Sequence, residues 1–72
     1  MNNFIEFEKE FINFDRVERI SIVKDLLTYK IKFNVAEYSF TLGSYNSYKE
    51  AREKVVYLLE KKASKWTKNQ EL

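Results

Sequence analysis

Seventy-two residues carry 13 lysines and arginines against 11 acids, a net charge of +2, with neither cysteine nor histidine. A chain of this length makes one domain, residues 1–72, that buries roughly 60% of its unfolded surface and reaches a stability on the order of 3–5 kcal/mol. Composition excludes disulfides, thiolate zinc sites and thiol catalysis, and it removes both the usual general base near neutral pH and the commonest metal ligand.

Six Phe, five Tyr and one Trp supply the compensation, since each aromatic buries about 150–250 Å². Charge is uneven along the chain: Glu6, Glu8 and Glu10 surround Lys9, whereas Lys61, Lys62, Lys65 and Lys68 have no acid among them. The start, MNNFIEFEKE, has acids where a signal peptide has a basic end and an apolar run. The longest apolar run, Val55 to Leu59, is far short of the roughly 20 residues that span a bilayer. These features read as a soluble cytoplasmic protein without a membrane partner.

In chain order, FIEFEKEF fits two elements. Phe4, Phe7 and Phe11 share a helix face, or FIEF and EFINF pair as a hairpin around Glu8 and Lys9; the density of Phe and Ile favours the hairpin. ERISIVK alternates, with Ile20 and Ile22 inward and Arg19, Ser21 and Val23 outward. Asp25 to Leu27 turn the chain. Leu26 and Leu27 are unusual turn residues and either fold back on the core or mark a contact surface. TYKIKFNV places Tyr29, Ile31, Phe33 and Val35 on one face, Lys30, Lys32 and Asn34 on the other. After Ala36 and Glu37, YSFTL repeats the pattern with Tyr38, Phe40 and Leu42 inward.

Gly43, the one glycine, ends the last strand where a left-handed or bulge conformation is expected. Ser47 is a helix N-cap and Glu50, three residues on, completes a capping box. The helix is expected from Tyr48 to about Ala63, fraying toward Trp66, with 67–72 as a tail. Tyr48, Ala51, Val55, Leu58, Leu59 and Lys62 form its inward stripe at about 100° per residue. The fold class is α+β: an antiparallel sheet of about five strands, an amino-terminal hairpin plus a three-stranded meander, covered on one face by a carboxy-terminal helix.

Two motifs carry a resemblance. Ile12, Asn13, Phe14, Asp15, Val17 and Ile20 match an I-N-hydrophobic-D-x-V-x-x-I pattern, and Leu42, Gly43, Tyr45, Ser47, Glu50 and Ala51 match L-G-x-[YF]-x-[ST]-x-x-E-A. Together they resemble a group of small bacterial and phage proteins over nearly the whole chain, which implies a fold and a phage or mobile-element setting but no reaction. The second half is also similar, locally, to the three-stranded-sheet DNA-binding modules of the AP2 and integrase arm-binding type.

Candidate sites follow from the faces. Arg19, Lys30 and Lys32 share the outward sheet face with no acid, as a ribbon entering a DNA major groove requires. Lys61, Lys62 and Lys65 near Trp66 form a basic tail, which also suits a helix C-terminus. Val56 and Tyr57 lie off the inward stripe and, with Leu26 and Leu27, make a candidate protein-binding surface. Asp15 belongs to a turn. An enzyme is not expected: one glycine cannot cradle phosphates, no nucleophile–histidine pair exists, and Glu6, Glu8 and Glu10 sit on a small hairpin without a cleft. No metal or cofactor is expected.

The sequence therefore points first to a non-catalytic protein-binding factor of phage or mobile-element type. An inhibitor of a host defence system, for instance a CRISPR effector, is one concrete form. The alternatives are a DNA-binding module using the basic sheet face and a structural homo-oligomer. The partner is another protein or a second copy in the first and third readings, nucleic acid in the second.

Overall fold

The computed structural model describes residues 4–70, with side chains as far as Ala63. The amino-terminal ambiguity resolves as a hairpin. Strands β1 (Phe4–Phe7) and β2 (Glu10–Asn13) pair antiparallel, with Ile5 opposite Ile12 and Glu6 opposite Phe11. Both loop residues, Glu8 and Lys9, have left-handed φ (50° and 68°). A type I′ turn has this signature, and its twist matches that of the strands. The chain then turns through Asn13: its side-chain oxygen accepts from the Asp15 N–H and its carbonyl accepts from the Arg16 N–H, both at 3.0 Å.

Strands β3 (Val17–Asp25), β4 (Thr28–Val35) and β5 (Tyr38–Tyr45) form an antiparallel meander in that order. The five expected strands thus form a two-stranded and a three-stranded sheet rather than one ladder. Ile20 opposes Phe33 and Ile22 opposes Ile31 across one pair; Phe33 opposes Phe40 and Ile31 opposes Leu42 across the other. Between the pairs Tyr29–Tyr45 and Ile31–Leu42, β5 has one residue more than β4, a bulge that contains Gly43.

Ser47 opens helix α1 (Tyr48–Gln70) as expected: its hydroxyl accepts from the Glu50 N–H at 3.2 Å. The return half of the box differs. The Glu50 carboxylate accepts from the Asn46 N–H at 3.0 Å, one residue before the cap. The helix continues past Ala63 to Gln70. The side chains of Lys65, Trp66 and Lys68, and residues 71 and 72 of the expected tail, lie outside the described residues.

The inner sheet face has two covers. Helix α1 touches β1, β3, β4 and β5, and the β1–β2 hairpin contributes Ile5, Phe7 and Ile12 to the same core, followed by Phe14. Phe33 is fully buried at the centre. Its ring meets Phe7 and Phe14 edge-on at 6.2 and 6.3 Å and stacks on Phe40 at 5.2 Å. Because the hairpin shares the cover, the buried helix stripe is narrower than the spacing predicts. Ala51 and Leu58 are buried and Val55 half-buried, but Tyr48, Leu59 and Lys62 are exposed. The stripe has rotated toward the hairpin, which leaves Tyr48 and Leu59 on the β3 side.

Candidate interaction surfaces

The β3–β4 hairpin closes on the pair Asp25–Thr28, and the Thr28 hydroxyl donates to the Asp25 carbonyl at 3.2 Å. Only Leu26 and Leu27 remain for the loop, too few to bend back over the sheet. Each is 88% exposed, and Leu26 has a left-handed φ of 56°. A branched side chain in that region costs about 1–2 kcal/mol relative to glycine. Of the two expectations for this pair, folding back on the core is therefore wrong. The tip presents two bare leucines.

Val56 and Tyr57 do not join it. A 100° step separates them, and the narrowed stripe puts them on opposite flanks of the helix. Val56 lies half-buried over β3 with Ile20, Ile22 and Leu59. Tyr57 stands over the β1–β2 loop, with Lys61 at 5.4 Å from its ring. The four residues expected to make one partner surface thus occupy three separate places.

The register does bring the basic residues together. Arg19 opposes Asn34, Lys32 lies between Ser21 and Thr41, and Lys30 opposes Val23. All of these point away from the helix, and alternation puts Asp25, opposite Thr28 at the end of β3, on the same face. Lys61 and Lys62 are exposed on α1. Lys62 lies beside Glu18 and Leu59, so it belongs to a different face from Lys30 and Lys32.

One surface was missed. Phe4, Phe11 and Tyr38 are 44%, 68% and 65% exposed, and with Phe40 and Arg16 they line a crevice of about 350 Å³. Fixing the first turn at Glu8–Lys9 would have revealed the hairpin part: with Ile5, Phe7 and Ile12 inward, alternation sends Phe4 and Phe11 outward.

The loop of that hairpin is tied to the sheet. The Tyr45 hydroxyl donates to the Glu8 carboxylate at 2.5 Å. Burial of the phenol, then the hydrogen bond and charge of Glu8, push the Tyr45 hydroxyl well above its ordinary pKa near 10. The same ring explains Gly43, whose φ is +82°: a Cβ there would lie 2.5 Å from Tyr45 Cε2 and 2.6 Å from its hydroxyl.

Among the described residues no three His, Cys, Asp or Glu converge as a metal site would require. No helix among them is long and apolar enough to cross a membrane. Compared with known proteins, the chain matches no family model, no curated protein and no solved structure.

Proposed function

We propose that this chain is a protein-binding module that works by occupying a partner's surface rather than by catalysis. The observation that carries the reading is the Leu26–Leu27 tip: two leucines, each 88% exposed, on a two-residue loop where glycine or asparagine would be less strained. Holding a branched residue in left-handed geometry at full exposure lowers the stability of a small domain. Sites of this kind cluster where a segment contacts something else. Burying the pair in a partner would recover about 1.5–3 kcal/mol per side chain. Blocking a host-defence effector such as a CRISPR nuclease is a task that occupancy alone performs, and the likeness to phage proteins makes it the first biological setting to test.

The experiment places a photo-crosslinking amino acid at position 26 and, as a control, at Glu37, an exposed loop residue at the other end of β4. The expected result is a discrete protein adduct from position 26 and none from position 37. No adduct from position 26, or the same adducts from both, counts against the reading.

A second reading has its own support. The cluster of Arg19, Lys30 and Lys32 on the outer sheet face, with Asp25 at its end, suits a duplex phosphate backbone. It requires a gel shift at low salt that weakens steeply as salt rises and a smaller salt slope in Lys30→Ala with Lys32→Ala. Absence of a shift at tens of micromolar protein ends it.

A further inference from the structure

Among the described residues β3 pairs with β4 alone, so its other edge is open. Open edges are normally protected by proline, charge or a bulge. The irregularity between Val17 and Arg19 protects the start of β3, but Ile20, Ser21, Ile22 and Val23 carry none of these devices. Alternation fixes which groups face outward. A two-residue hairpin closes on a hydrogen-bonded pair, here Asp25–Thr28, so every second residue back along β3 bonds to β4. That places the Ser21 and Val23 backbones toward β4 and the N–H and C=O of Ile20 and Ile22 toward the open edge.

Beside this edge lies a groove. Two crevices of about 370 and 320 Å³ share Ile20, Val55 and Leu59 and run along β3 from Val17 to Ile22, with α1 as the far wall. Six residues of strand span about 20 Å at roughly 3.3 Å each. The walls are apolar, and the rotated helix leaves Leu59 49% exposed over them. Arg52 and Lys62 stand on the rim against one acid, Glu18.

We propose that the open edge of β3 takes an extended segment of a partner protein as a fourth strand, with alternate apolar side chains entering the groove against α1 and acidic residues meeting the basic rim. Strand addition draws affinity from main-chain hydrogen bonds and specificity from the pockets beside the edge, and this site offers both. The inference rests on the protein-binding reading and names how the partner is held.

The test selects binders to the intact chain from a displayed library of random octapeptides. A representative peptide is then titrated against the wild type, Leu59→Glu and Arg52→Glu, with amide exchange followed residue by residue. The expected binders alternate apolar residues and carry Asp or Glu. Leu59→Glu weakens them at least tenfold and Arg52→Glu at least threefold. Both replaced side chains are already exposed, and matching circular dichroism verifies that the variants fold. The signature of strand addition is new protection of the Ile20 and Ile22 amides, while Ser21 and Val23, already bonded to β4, change little. Three results overturn the proposal: no enrichment, affinity indifferent to Leu59→Glu, or binding that leaves Ile20 and Ile22 exchanging freely. A dimer by sedimentation that protects those amides without peptide also overturns it, because a second copy would then be the occupant. An adduct from position 26 together with any of these failures keeps the protein-binding reading and removes only the strand.

Discussion

Replacing Gly43 with alanine should test the joint between the hairpin and the sheet. Two costs add. The backbone is left-handed at φ +82°, which costs a residue with a Cβ about 1–2 kcal/mol. The new Cβ would also fall 2.5–2.8 Å from three atoms of the Tyr45 ring. That ring cannot swing away freely, since it is buried and its hydroxyl is bonded to Glu8. Displacing it forfeits a hydrogen bond to a charged group, worth about 1.5–3 kcal/mol. The sum, roughly 2.5–5 kcal/mol, is comparable with the whole stability, on the order of 3–5 kcal/mol, of a domain this small. Urea denaturation followed by circular dichroism reads the loss. The two costs separate in a Tyr45→Leu background, where Gly43→Ala should retain only the backbone penalty of about 1–2 kcal/mol. A loss below about 1 kcal/mol in the wild type, or equal losses in both backgrounds, would refute the reasoning.

Leu26→Gly should stabilise the chain by about 0.5–1 kcal/mol, because it relieves a left-handed leucine that packs against nothing; thermal denaturation checks this, and the same substitution should weaken partner binding. Ser47→Ala should cost about 1 kcal/mol by leaving the Glu50 N–H without its cap, measured by the urea midpoint. Alkaline pH should unfold the chain through Tyr45. Its phenol is harder to ionise folded than unfolded, so its contribution is complete below the unfolded value near 10 and is lost as pH rises above that toward the folded value. Urea midpoints at pH 9 and pH 11 should differ less in Tyr45→Phe than in the wild type.

Strand alternation from Arg19 to Leu42 was legible because each strand has one buried face, and a one-residue slip would invert it. The basic outer face followed directly. The turns were not legible. Glu8, Lys9, Leu26 and Ala36 all adopt left-handed φ without glycine or asparagine, so residue preference carried no signal there, and the one glycine serves a bulge instead. For Glu8 the compensation is long-range: Tyr45, 37 residues away, bonds its carboxylate. The separation of Val56 from Tyr57 was hidden for a similar reason. Helical periodicity assigns a stripe but not its partners, and here the hairpin took part of the cover that the helix alone was expected to give. The exposed aromatics at Phe4 and Phe11 stayed hidden while the first element was open between helix and hairpin.

The central claim is that the two leucines of the β3–β4 tip are held bare for a partner. The direct measurement is the affinity of the partner captured from position 26 for the wild type and for Leu26→Ser with Leu27→Ser. Two leucines leaving water at about 1.5–3 kcal/mol each imply a loss of about a hundredfold or more. Equal affinities, or a partner that also crosslinks from Glu37, would contradict the account.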